Sequence, residues 1–101
     1  MVWVGLPTMR DDHRDNAADR LNRIYREVVT STPGAAFVNA EELFSNPRGE
    51  YAAYLPDDMG REQLVRAPDG EHLSTIGYDW VADEVIAALQ REWELPDDAV
   101  R

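Results

Sequence analysis

The sequence predicts an α/β fold in which parallel strands are flanked by helices, and three observations carry the prediction. Residues 1–6 and 35–39 are short apolar runs that are continuous rather than alternating, the pattern of strands covered on both faces. Residues 15–30 join them with apolar side chains at helical spacing. A second helical pattern, residues 75–94, follows a loop near the C-terminal end.

Taken in order, Met1-Val2-Trp3-Val4-Gly5-Leu6 reads as a strand stopped by Pro7, and residues 7–14 are polar and read as a loop. In the first helix Ala17, Leu21, Ile24 and Val28 fall at i, i+4, i+7 and i+11, which predicts that they form the buried stripe. Asp15 or Asn16 offers the cap. Thr32-Pro33-Gly34 is a turn, and Ala35 to Asn39 a second strand. Strand, helix and strand in about forty residues make one βαβ unit, expected to cross over right-handed. Glu41 to Phe44 suits a single helical turn. Tyr51 to Leu55 and Gln63 to Arg66 flank a turn-rich segment, so residues 51–66 read as hairpin-like. Residues 67–73 form a loop. Ser74 or Thr75 can cap the last helix, whose stripe is Tyr78, Val81, Ala82, Val85, Ala88, Leu89 and Trp93, with Pro96 as its stop.

At 101 residues the chain fits one small domain. Its net charge is −10, and all ten basic residues are Arg. Residues 1–30 balance five acids with five Arg, so the excess lies in residues 31–101. Such a surface repels phosphate backbones and argues against a nucleic-acid partner. No Cys is present, which excludes disulfides and thiolate chemistry. No apolar run approaches the ~20 residues of a membrane span. Met1 is followed directly by Val2-Trp3-Val4 without a basic n-region, so no secretory signal is expected.

The chemistry concentrates in Ala67-Pro68-Asp69-Gly70-Glu71-His72-Leu73-Ser74. An Asp three residues before a His, in a loop entering a helix, can set its carboxylate on one imidazole nitrogen. The other nitrogen is then free to take a proton from a hydroxyl. Asp-Gly is equally a common turn, and a His before a helix is often simply solvated. The run Arg10-Asp11-Asp12-His13-Arg14-Asp15 contains legitimate metal ligands, but interleaved arginines and the lack of a completing cluster favour a solvated loop. Asp57-Asp58 reads as loop solvation. Trp80 falls beside the core stripe of the last helix, at its edge.

Asp69-Gly70-x-His72-Leu73-Ser74-Thr75-x-Gly77-Tyr78, followed by an amphipathic helix, resembles the last block of the SGNH (GDSL-type) hydrolases. Val2 to Arg10 and Tyr51 to Pro56 resemble further segments of an uncharacterised bacterial subgroup of that superfamily. The resemblance implies the C-terminal portion of a three-layer α/β/α, flavodoxin-like fold, present here as a single partial domain over residues 1–101. It implies Asp69 and His72 as catalytic residues, with His72 as general base and then acid. It also implies an acyl ester or acylated carbohydrate as substrate, no cofactor and no metal. The loop after the first strand would lie near the active-site face. The family's Gly-Asp-Ser block, its lone Gly block and its Gly-x-Asn-Asp block have no counterpart. Ser31, Ser45 and Ser74 are the only serines, and none sits in a strand-to-helix elbow, so no nucleophile is assigned. The chain alone is therefore expected to be inactive. Two strands and two helices leave sheet edges uncovered, which predicts a homo-oligomer or completion by a further N-terminal segment. The competing expectation is a non-catalytic module kept for binding or assembly. The subgroup is often exported, which leaves the compartment open.

Overall fold

A computed structural model describes residues 1–93. The element order is β1 (Val2–Val4), α1 (Asp12–Thr30), β2 (Ala36–Val38), α2 (Ala40–Leu43), β3 (Tyr54–Pro56), β4 (Glu62–Leu64) and α3 (Thr75–Trp93). The chain is a compact α/β unit with a small parallel sheet and helices. β1 and β2 pair in parallel with Trp3 opposite Phe37, while β3 and β4 form a separate antiparallel hairpin.

Strand β1 is shorter than the apolar run 1–6. At its end the amide side chain of Asn22, on α1, takes over the role of a neighbouring strand. Its Oδ1 accepts the Leu6 N–H at 2.7 Å and its Nδ2 donates to the Leu6 carbonyl at 2.8 Å. The backbone is thereby satisfied without a ladder partner.

Helix α1 begins three residues before the expected start, at Asp12, with Asp11 rather than Asp15 or Asn16 as its cap. The Asp11 carboxylate accepts the Arg14 N–H at 2.9 Å, and Asp12 and Asp15 place negative charge at the positive end of the helix dipole. Residues 12–14 of the polar run that reads as a loop thus form the first helical turn, and residues 7–11 remain the connection. The buried face also differs from the expected stripe. Ala18, Asn22 and Val29 are buried, and Tyr25 packs on Trp3 with ring centroids 5.0 Å apart. Leu21, Ile24 and Val28 are 40%, 55% and 56% exposed. The helix is rotated by about one residue step because Asn22 must face the sheet to serve Leu6.

The other core lies between the hairpin, α2 and α3. Phe44 and Val65 are fully buried there with Ala40 and Leu55, and Leu73, Trp80 and Val81 pack against them. Trp80 stacks on Phe44 with centroids 6.2 Å apart, while Tyr78, expected in the stripe, is 54% exposed. The reason is Gly77. A Cβ there would lie 2.2 Å from the Val65 carbonyl oxygen, so the helix turns its bare glycine edge toward β4 and swings Tyr78 outward. Ser74 is the cap: its Oγ accepts the Gly77 N–H at 3.1 Å and donates to the Leu64 carbonyl at 2.6 Å. The helix expected to reach residue 94 is described to Trp93; Glu94, Pro96 and the tail lie outside the described residues. No described helix is long and apolar enough to cross a membrane.

Candidate functional site

The loop between β4 and α3 closes on itself. The Ala67 N–H donates to the His72 carbonyl at 2.8 Å, and Gly70 N–H to the Ala67 carbonyl at 3.2 Å. Gly70 sits at φ +74°, a left-handed turn position that glycine adopts freely. The Asp69 carboxylate organises the two residues beyond this glycine. Its Oδ1 accepts the backbone N–H groups of Glu71 at 2.8 Å and His72 at 2.9 Å. Its Oδ2 lies 2.5 Å from His72 Nδ1.

This arrangement sets the charges. Hydrogen bonding to His72, and then to the two backbone amides, holds the Asp69 carboxyl well below the usual carboxylate range. The same side-chain hydrogen bond, and then the carboxylate's charge, raises His72 above its ordinary value. Nδ1 is therefore committed to Asp69 and Nε2 is left to act. The imidazole is 68% exposed and the carboxylate 45%, so the pair stands at the surface. Clefts of about 530 Å³ (around Trp80, Asp57 and Asp83) and about 340 Å³ (around Arg10, Asp12 and Tyr51) lie elsewhere, and His72 lines neither.

The β1–α1 connection adjoins the pair. Arg10 N–H donates to the Gly70 carbonyl at 3.1 Å and its guanidinium to the Pro68 carbonyl at 3.1 Å. Its side chain lies over Gly70 so closely that a Cβ there would be 2.7 Å from Arg10 Nε. Arg14 pairs with Glu71 at 2.7 Å. The acidic run around Arg10 is thus occupied structurally: Asp11 caps α1, and Asp15 accepts the Met9 N–H at 2.9 Å. Asp57, read as solvation, holds the hairpin turn by accepting the Met59 and Arg61 N–H groups, both at 2.9 Å.

Sequence reasoning missed Arg66. It is 1% exposed, and every acceptor it meets is uncharged. It donates to the Thr8 carbonyl at 2.5 Å and the Glu71 carbonyl at 2.8 Å, with a longer contact of 3.4 Å to the His72 carbonyl. The ring of Tyr51 covers it, 4.8 Å from the guanidinium carbon. An arginine at the end of a strand gives no sequence signal of burial. The one hint in the sequence is its place immediately before the Asp-His loop.

Asp69, Glu71 and His72 offer ligand atoms within 4.8 Å of one another. Their donors are already engaged, however: Asp69 by two amides and an imidazole nitrogen, Glu71 by Arg14. As a donor set for a cation they do not fit without breaking the pair.

The three serines are engaged too. Ser31 Oγ donates to the Glu27 carbonyl at 2.9 Å, Ser45 to the Glu41 carbonyl, and Ser74 to the Leu64 carbonyl. None of these hydroxyls is hydrogen-bonded to His72.

No curated protein matches the chain. A family model does match it over residues 1–88, nearly the whole described length. The chain accordingly belongs to the family described as protein of unknown function, DUF459.

Proposed function

We propose that this chain supplies the Asp69–His72 pair of an SGNH-type ester hydrolase or acyltransferase, acting on acyl esters such as O-acylated carbohydrates. The observation that carries the reading is the pair itself: a carboxylate fixed by two backbone amides, holding Nδ1 of a solvent-exposed imidazole. In the proposed step Nε2 takes the proton from a serine hydroxyl as its oxygen attacks the ester carbonyl. It then returns that proton to the departing alkoxide, leaving an acyl-serine that water or an acceptor alcohol resolves.

The serine and the oxyanion donors come from outside the described residues. Their place in the fold is the free edge of β1. Among the described residues the parallel sheet has two strands, so one side of β1 has no ladder partner. Trp3 on β1 is 40% exposed, and Ile24 and Val28 on α1 are more than half exposed. A further strand and helix added there would bury these apolar groups and build the three-layer, flavodoxin-like sheet of which this chain is the C-terminal portion. A second copy of the chain is the other occupant of that edge. Because these side chains are already about half covered, covering the rest contributes roughly 1 kcal/mol each.

The test is reaction with p-nitrophenyl acetate and a fluorophosphonate probe. The chain alone is expected to be inert. The chain joined to a family segment carrying the Gly-Asp-Ser and Gly-x-Asn-Asp blocks is expected to react, and His72→Ala to cost about 10⁴ in kcat. An assembled protein as active with His72→Ala as without it would sink the reading. The exposure of His72 and the engagement of all three serine hydroxyls favour a second reading, a non-catalytic binding or assembly module. Absence of turnover after the sheet is completed selects it.

A further inference from the structure

We infer that Arg66 is the positioning residue of the Asp69–His72 pair, holding the backbone carbonyls of the same two residues whose backbone N–H groups Asp69 holds, and tying them to the β1–α1 connection. The functional meaning of this role rests on the proposed role of His72, but its geometry stands independently.

The backbone at Glu71 and His72 is gripped on both sides. Its N–H groups point to Asp69 Oδ1, at 2.8 and 2.9 Å. Its carbonyl groups point to Arg66: Glu71 at 2.8 Å and His72 at 3.4 Å. A side chain that only needed to fill space at this buried position would be apolar. Burying a guanidinium without a carboxylate in hydrogen-bond reach is costly, because the ion gives up its hydration. That cost is offset by charge-assisted bonds to backbone carbonyls, which are stronger than neutral ones, and by the Tyr51 ring over its face. All the directional part of this compensation goes to two loops. One is the segment bearing His72. The other is the β1–α1 connection, reached through Thr8 at 2.5 Å and Met9 Sδ at 3.9 Å. Thr8 is itself buried, its hydroxyl donating to the Phe44 carbonyl at 3.0 Å, so the guanidinium anchors the His72 loop to the core.

A planar fork is needed for this. Its donors leave in diverging directions in one plane, and a lysine ammonium on a single stem cannot address Thr8, Glu71 and His72 together. With Arg66 replaced, the loop keeps Asp69 and Gly70 but loses the restraint on its carbonyl groups, and the imidazole is no longer held against the carboxylate.

The experiment is the NMR titration of the His72 ring in the protein with His13→Asn, leaving one imidazole, compared with Arg66→Gln and Arg66→Lys. The sign of the change separates the roles. If Arg66 acted only as a nearby positive charge, its removal in Arg66→Gln would make His72 easier to protonate and raise its midpoint. Loss of positioning weakens the bond to Asp69 and lowers it. We expect a fall of at least about half a unit in Arg66→Gln, and a fall also in Arg66→Lys, where the charge is kept. An unchanged or raised midpoint in either folded variant overturns the inference. Should neither variant fold, the Arg66 guanidinium of the unsubstituted protein decides: separately resolved, slowly exchanging Nη protons are expected for a fork fixed on the Thr8 and Glu71 carbonyls, and averaged signals exchanging as in an open arginine overturn it. None of these readouts requires turnover, so failure of the esterase reading and failure of this one are told apart.

Discussion

Asp69 meets His72 twice, through the imidazole Nδ1 at 2.5 Å and through the backbone N–H at 2.9 Å. The carboxylate therefore fixes both where the residue sits and which ring nitrogen is committed. Asp69→Asn keeps an oxygen for the backbone and removes the charge. The expected outcome is a downward move of the His72 midpoint toward about 6.5, the ordinary histidine value, read by ring-proton NMR. A midpoint unaffected by the change would show that the carboxylate does not govern the imidazole.

The same pair gives a pH dependence with a definite sign. His72 is raised in the folded chain, so its contribution to stability is complete below about 6.5 and disappears as pH rises through the raised value. Asp69 is depressed, so its contribution is present above the ordinary carboxylate value and disappears as pH falls through the depressed one. Between the two the ion pair is intact. Activity of a completed enzyme runs the other way on the alkaline side, because the general base must be neutral. kcat/KM is expected to rise through the raised His72 midpoint, above about 6.5 rather than at it. A profile whose acidic limb lies below about pH 6 would contradict this.

Gly70 is the hinge on which the loop turns, at φ +74° beneath the Arg10 side chain. Gly70→Ala must bear a left-handed backbone, costing roughly 1–2 kcal/mol, and its Cβ would also lie 2.8 Å from the Arg10 Cβ, so the β1–α1 connection must give way slightly. Gly77→Ala is a different case, since the atom in the way is the backbone oxygen of Val65 at 2.2 Å. Helix and strand must separate, at a cost of about 3 kcal/mol. Urea denaturation of both variants is expected to rank Gly77→Ala as the more damaging, and the reverse order would indicate that α3 sits farther from β4.

Much of this architecture is legible in the residues, and the failures have physical causes. The continuous apolar runs around Val2 to Val4 and Ala36 to Val38 mark the parallel pair, but the expected cover on both faces is missing at β1, where Trp3 and Val4 are 40% and 38% exposed. The Asp69-Gly70-x-His72 spacing marks the pair because a three-residue offset across a glycine turn brings carboxylate and ring together. The face of α1 is not legible. Periodicity nominates the most apolar stripe, Ala17-Leu21-Ile24-Val28, whereas the fold buries a polar residue, Asn22, for the two hydrogen bonds it gives Leu6. A single specific backbone demand outweighs a gradient of hydrophobicity. Arg66 is illegible for a related reason: its burial is compensated by carbonyl groups, which leave no trace in the sequence.

Asn22 and its neighbours supply the sharpest test of which side of α1 faces inward. Asn22 is 4% exposed and bonded to both backbone groups of Leu6 and to Glu41 at 3.2 Å. Asn22→Leu removes the partners of the part-buried N–H and carbonyl of Leu6 together, at about 1 kcal/mol for each hydrogen bond lost. Its larger apolar surface does not offset that loss. Ile24→Ser with Val28→Ser is the opposite case. Both side chains are more than half exposed, so thermal or urea unfolding of the chain is expected to shift by no more than about 0.5 kcal/mol per site. Were the apolar stripe the buried one, the double change would cost several kcal/mol and Asn22→Leu almost nothing. The pair of measurements thus reads the rotation of α1 directly. In a protein whose sheet is completed along β1, the serine changes are expected to become costly, because the surface they alter would then be covered.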